Sequence, residues 1–272
     1  MKKIFTLMVA GCLMTLTAWG QAPAKKTSDY ITKKDIPYSS SSDSYARERC
    51  KLDVYYPKDK TDCPVVVWFH GGGLTQGHKD FPYRLKDKGI VLVAANYRLL
   101  PRVPVDSAIN DAAEAVAWTF RHAKEYGGSP RKIYVSGHSA GGYLTAMVGL
   151  DRKWLRRFGV EADSIAALVP FSGQMISHFA YRDMHGIGAL QPLVDQYAPL
   201  YHVRKDAPPI YLITGDREME LYGRYEENAY MARMLRLSGH PNVKLYEIDG
   251  HDHGAMADPA QHILLEVIKK GK

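Results

Sequence analysis

A serine framed by glycines, Gly137-His138-Ser139-Ala140-Gly141, follows the β-branched and aromatic run "KIYVS" and precedes the apolar run "YLTAMVGL". A bare G-x-S-x-G is common and can be no more than a glycine-rich turn. Between a buried strand and a helix it has the spacing of a nucleophile held on a tight turn. The glycines then have a steric reason: side chains at 137 and 141 would strike the neighbouring strand and helix, and the serine backbone is strained. The helix start after Ser139 would offer N–H groups and a positive dipole end to a developing oxyanion. A second element, His70-Gly71-Gly72-Gly73, directly follows the apolar run "VVVWF". Three glycines at the end of a central strand let bare backbone approach a ligand. The N–H groups of Gly72 and Gly73, with that of Ala140, can converge on one oxygen. The chemistry these residues could do is nucleophilic attack on an acyl carbonyl.

The elements that must hold these residues read as an alternation. "KLDVYYP" (51–57) alternates polar and apolar residues, as a half-buried strand does. The runs at 64–70, 89–97, 132–137, 164–173 and 209–216 are continuous and apolar, the pattern of strands buried on both faces. Residues 243–249 make one more strand. Between them, 106–128 places Ile109, Ala112, Ala113, Val116, Ala117 and Phe120 on one helical stripe, with Asp106 as a candidate N-cap and Gly127 as its stop. Residues 143–150, 223–240 and 259–270 also read as helices. The expected fold class is therefore α/β: a mainly parallel sheet of the eight-stranded type with helices on both faces. Residues 174–207 break the rhythm and are expected to form a small cap over the C-terminal edge of the sheet, where ligands of open α/β folds bind.

The 272-residue chain can bury a sizeable core without disulfide or metal staples. Lys2 and Lys3, an apolar run and Ala18-Trp19-Gly20 predict a signal peptide cut after Gly20, hence a periplasmic or secreted protein. The run is short for a membrane span, which needs about 20 apolar residues. Val9-Ala10-Gly11-Cys12 is the alternative, a lipoprotein box. Residues 21–44 read as a leader and first-strand region, and 45–272 as the main domain. Cleavage removes two lysines and no acid, taking the formal charge from +7 to +5. Both signs alternate along the chain, which speaks against a nucleic-acid surface. Cys50 opens one strand and Cys63 precedes another of opposite direction. That puts them about 15–20 Å apart at about 3.3 Å per residue, beyond the reach of a disulfide, so both are expected to remain thiols.

Several segments together resemble the α/β-hydrolases of the esterase/lipase group with an HGGG oxyanion motif. These are "HGGG" (70–73), "NYRLLPRVPVDSAINDAAEAVAWTF" (96–120), "GHSAGG" (137–142) and "APLYHVRKDAPPIYLITGD" (198–216). The group spans hormone-sensitive-lipase-like esterases, feruloyl and acetyl xylan esterase-like proteins and kynurenine formamidase-like proteins. The similarity runs from about residue 45 to the end, while the cap resembles no subgroup closely. It implies a triad in the order Ser, acid, His, with Ser139 as nucleophile and the histidine within "DGHDHGAM" (249–256). The G-x-x-H pattern favours His253 over His251. A G-x-x-D pattern maps the acid onto Glu218, three past Gly215, with Asp216 as the alternative nearer the strand. His251-Asp252-His253 could contribute to a metal site only with further partners that the sequence does not identify, and the mechanism implied by the resemblance needs neither metal nor organic cofactor.

The expected function is a secreted serine carboxylester hydrolase for short acyl esters, on a small-molecule or carbohydrate-linked substrate such as an acetylated or feruloylated polysaccharide. The alternatives are an amidase of the arylformamidase or peptidase type, and a non-catalytic binding protein on the same scaffold. Tyr97, Arg98 and Asp111 are expected to hold the turn after their strand. Trp68 is expected in the core. His78, His178 and His185 are candidates to line the pocket, His138 to flank it. Phe179, Tyr181 and Tyr197 could offer an aromatic slot.

Overall fold

The computed structural model describes residues 29–188 and 190–271. The expected signal peptide and Cys12 lie outside them. Eight strands form one sheet: β1 (Tyr30–Pro37), β2 (Lys51–Pro57), β3 (Cys63–Phe69), β4 (Val91–Ala95), β5 (Gly128–His138), β6 (Ala167–Phe171), β7 (Ile210–Gly215) and β8 (Val243–Ile248). Their spatial order is β1-β2-β4-β3-β5-β6-β7-β8. β2 runs antiparallel to both its neighbours, and every pairing from β4 to β8 is parallel. The helices are α1 (Ser44–Arg49), α2 (Val105–His122), α3 (Ala140–Leu150), α4 (Lys153–Arg156), α5 (Phe179–Met184), α6 (Arg224–Leu237) and α7 (Ala257–Lys270).

The period of two along β3 explains the layers. Val65, Val67 and Phe69 point into the core shared with α2, α3 and α6, whereas Val66 and Trp68 point into the core under α7. A strand covered on both faces has no polar position to spare, so β3 reads as an unbroken apolar run. β1 reads differently: Lys33, Lys34 and Asp35 are exposed on this edge strand. Charged side chains there discourage pairing with another sheet edge.

Two local expectations need correcting. Asp106 does not cap α2; the helix begins one residue earlier, with Pro104 at the N-cap and Asp106 in the first turn, where its charge suits the helix dipole. Gly127 stops a 3-10 turn, Ala123–Tyr126, appended to α2, and has φ +73°. The turn after β4 is tied down as expected. Arg98 Nη2 donates to buried Asp111 at 2.6 Å, and Arg98 Nε donates to its other oxygen at 2.8 Å. Cys50 and Cys63 are buried and form no disulfide. Burial also pushes the Cys50 thiol up to about 12.

Within 174–207 the chain makes α5 and a 3-10 turn, Pro199–His202. Ser177 Oγ donates to Asp195 Oδ1 at 2.7 Å, and Tyr143 Oη donates to the Tyr197 carbonyl at 2.7 Å, so this segment is tied both to itself and to α3.

Candidate active site

Strand register gathers the site at one edge of the sheet. Phe69 pairs with Gly137, His138 with Phe171, and Gly215 with Ile248. The segments that follow β3, β5, β6, β7 and β8 therefore emerge side by side. Ser139 sits between β5 and α3 with φ +56° and ψ −114°, outside the regions comfortable for a side chain. Its glycine neighbours are required by contact. A Cβ on Gly141 would lie 2.0 Å from the Phe69 carbonyl oxygen, and one on Gly137 would lie 2.5 Å from the same atom. Main chain occupies that space, so no rotamer relieves the clash.

The strain holds Ser139 Oγ 2.9 Å from His253 Nε2, and His253 Nδ1 lies 2.9 Å from Glu220 Oε2. The structure thus brings Ser139 and His253 together, but it brings neither Glu218 nor Asp216 to the histidine. β7 ends at Gly215, and the chain then makes a helical turn in which the N–H groups of Met219 and Glu220 donate to the Asp216 carbonyl. That extra turn swings Glu218 into solvent and folds Glu220 back under the strand end. Asp216 stabilises the turn: its carboxylate accepts from the N–H groups of Glu218 at 2.9 Å and Gly250 at 2.8 Å. Those two N–H donors hold its carboxyl below the usual range. The carboxylate that faces His253 is two residues beyond Glu218, and the i, i+4 pair Asp216/Glu220 in a post-strand turn is the sequence signal that could have found it.

The side chain of Glu220 is almost wholly buried, 1% exposed. Burial pushes its carboxyl up, but hydrogen bonds from His253, Ser172 and the Gly215 N–H outweigh that and hold it at about 2. Oε1 accepts from Ser172 Oγ at 2.5 Å and Gly215 N at 3.0 Å, while Oε2 accepts from Leu221 N at 3.0 Å and faces His253. A carboxylate so fixed keeps its charge and its orientation. Gly215 must be bare to allow this, since a Cβ there would meet the His251 carbonyl oxygen at 2.4 Å.

The HGGG loop lies against the elbow. A Cβ on Gly71 would be 3.5 Å from the Ser139 Cβ. Gly72 and Gly73 have φ of +106° and +63°. The backbone N–H groups of Gly72, Gly73 and Ala140 donate to no acceptor among the described residues. His70 braces the loop from behind: its Nδ1 is 2.6 Å from the Gly71 carbonyl and its ring stacks on Tyr97 at 4.4 Å. Burial lowers its pKa to about 4, so it is neutral near pH 7.

His138 flanks the triad. Its ring lies 4.8 Å from that of His253, and its Nε2 is 2.8 Å from the His253 carbonyl. Burial first, and then the nearby His253, lower it to about 4. The neutral ring donates that N–H and so anchors the loop that carries His253. His251 turns elsewhere, with Nδ1 2.8 Å from the Asp249 carbonyl. His78 faces Arg49 at 3.3 Å, His178 is buried beside Tyr143, and His185 is exposed. Phe179 packs onto the HGGG loop, its Cζ 2.9 Å from where a Gly73 Cβ would be. Tyr181 and Tyr197 instead pack on each other, their centroids 4.9 Å apart.

A strained serine on a strand–turn–helix, relayed through histidine to a buried carboxylate, defines the class: an α/β protein built around a nucleophile elbow. Residues 52–176 match the family model described as BD-FAE. A probable isoprenylcysteine alpha-carbonyl methylesterase of Arabidopsis thaliana is 28% identical over 82% of this chain and 53% of its own length. A probable carboxylic ester hydrolase, LipM, of Mycobacterium tuberculosis is 28% identical over 79% of this chain and 54% of its own. The chain spans about half the length of these relatives. Among solved structures, a truncated carbohydrate esterase from gut microbiota superimposes with a TM-score of 0.75 at 17% identity, covering 92% of this chain and 99% of that one. Esterase B of Lactobacillus rhamnosis gives 0.71 at 20% identity, covering 90% and 86%. The chain has the α/β-hydrolase fold, and these relatives and structural neighbours are esterases.

Proposed function

We propose that this protein is an exported serine carboxylic ester hydrolase acting on short acyl esters. One observation carries the reading: the unbroken relay from Ser139 Oγ through His253 to Glu220, with both contacts at 2.9 Å. His253 Nε2 takes the Ser139 proton as Oγ attacks the acyl carbonyl. Glu220 keeps the other imidazole proton on Nδ1 and stabilises the imidazolium as it forms. The tetrahedral oxyanion lies among the N–H groups of Gly72, Gly73 and Ala140, which have no acceptor among the described residues and so lose no partner by binding it. The alcohol leaves with the proton from His253, and water repeats the sequence on the acyl-enzyme.

Phe179 walls the space beside Gly73, which supports a small acyl group. Acetyl esters on polysaccharide are the substrate class we assign, in keeping with the carbohydrate esterase among the structural neighbours; the much larger feruloyl group would need the wall at Phe179 to open. Export rests on Lys2, Lys3 and the Ala18-Trp19-Gly20 site. The test is hydrolysis of p-nitrophenyl esters from acetyl to octanoyl, with Ser139→Ala alongside. Turnover that falls with chain length and is abolished in the variant supports the reading. A folded protein that ignores every ester but cleaves an N-formyl or peptide amide is an amidase instead.

A further inference from the structure

Ser172, the residue after β6, occupies a backbone conformation that favours glycine. Its φ is +45°, where a side chain is strained. The main chain around it is pinned. Its N–H donates to the Ile213 carbonyl at 2.6 Å, and its carbonyl accepts from buried Arg224 Nη1. The next residue, Gly173, packs on α3 so closely that a Cβ there would lie 2.6 Å from the Gly142 carbonyl carbon. Glycine would satisfy this turn with less strain, so the serine side chain needs another explanation.

Its hydroxyl supplies one. Ser172 is fully buried, and Oγ lies 2.5 Å from Glu220 Oε1 and 3.0 Å from His253 Nδ1. A hydroxyl has one proton, and an ionised carboxylate can only accept. The proton therefore goes to Glu220, and a lone pair of Oγ is left facing His253 Nδ1. We propose that Ser172 is a positioning residue for the reaction: it locks Glu220 in rotation and, with it, shares the Nδ1–H of His253. Both contacts favour the tautomer with the proton on Nδ1, which leaves the Nε2 lone pair free to accept from Ser139. When His253 takes up the second proton, Ser172 and Glu220 already face the imidazolium and need not rearrange. A third group thus orients base and acid together, beyond the triad of Ser139, His253 and Glu220 on whose reading this inference rests.

The test is a double-mutant cycle on p-nitrophenyl acetate with Ser172→Ala, Glu220→Gln and the pair, thermal unfolding being followed for each. Ser172→Gly runs in parallel because it accepts the backbone without strain. Loss of a hydrogen bond to a charged group should lower kcat by about 10- to 100-fold in either hydroxyl-free variant, with KM within twofold. In the Glu220→Gln background the same change should cost less than threefold, because the dyad it orients is already broken. Ser172→Ala and Ser172→Gly with wild-type kcat would overturn the proposal. So would an equal loss in both backgrounds, which is the behaviour of a merely structural residue. A wild type that is active while Ser139→Ala or Glu220→Gln is equally active would instead overturn the triad, and this inference with it.

Discussion

Replacing Glu220 by glutamine separates it from its neighbours Glu218 and Asp216 as the acid. The amide is nearly isosteric, so the fold should survive, but no orientation suits it. On one side stand the donors Ser172 Oγ–H and Gly215 N–H; on the other stand His253 Nδ1–H and Leu221 N–H. An NH₂ group must confront one pair. If it faces His253, the imidazole is driven to the other tautomer, with its proton on Nε2, and can no longer accept from Ser139. If it faces Ser172 and Gly215, the Gly215 N–H is left without its acceptor under a buried amide, and Glu220's negative charge is lost to the imidazolium either way. Loss of the triad acid with geometry retained should lower kcat by about 10⁴-fold, or about 5 kcal/mol of barrier. Glu218→Gln changes an exposed carboxylate and should stay within twofold. Asp216→Asn keeps one acceptor oxygen for Gly250 or Glu218 and should lose less than tenfold. The assay is steady-state hydrolysis of p-nitrophenyl acetate by the three variants, with circular dichroism as a check on folding. Glu220→Gln above a tenth of wild-type kcat, or Glu218→Gln down by 10³, would refute the assignment.

Gly141→Ala should destabilise by more than about 3 kcal/mol, because its Cβ would sit 2.0 Å from a carbonyl oxygen that cannot move without moving β3; a urea midpoint near wild type would contradict this. Stability should fall as the pH drops from about 6.5 to 4. The unfolded chain protonates His70 and His138 near 6.5, the folded protein only at about 4, so the unfolded state binds more protons in that window. At about 1.4 kcal/mol per unit each contributes up to about 3 kcal/mol, and urea midpoints at pH 7 and 4.5 measure it. Glu220 acts lower, its stabilisation being lost as the pH falls from the ordinary glutamate value towards about 2. Asp111→Ala removes the buried acceptor of the Arg98 N–H, Nε and Nη2 and leaves Arg98 only the longer contact to Asp43 at 3.7 Å, so it should cost about 1–3 kcal/mol, read as a lowered Tm. Phe179→Ala should open the wall beside Gly73 and move the preferred acyl chain to longer esters; an unchanged chain-length profile would contradict that.

The parts of the site visible in the sequence are those set by local sterics. Gly137 and Gly141 announce the elbow because two main-chain segments leave no room for a Cβ, and the runs at β3 and β5 announce burial on both faces because nothing polar interrupts them. The acid was less legible. Which of Asp216, Glu218 and Glu220 meets His253 depends on a turn whose hydrogen bonds involve Gly250 and His251, more than thirty residues away in the chain, and three acids within five residues look alike without it. Ser172 carried no motif at all; only its φ and its two contacts single it out. β1 is placed only loosely by the sequence, within 21–44, since an edge strand bearing Lys33, Lys34 and Asp35 has the composition of a leader.

The central claim is that Ser139 is the nucleophile that takes the acyl group. Treating the protein with diethyl p-nitrophenyl phosphate and mapping the adduct by peptide mass spectrometry tests it most directly. One diethylphosphoryl group on Ser139, with p-nitrophenol released in equal amount, activity lost in proportion and no labelling of Ser139→Ala, is the result predicted. An adduct on another residue, or full labelling of the Ser139→Ala protein, would contradict it.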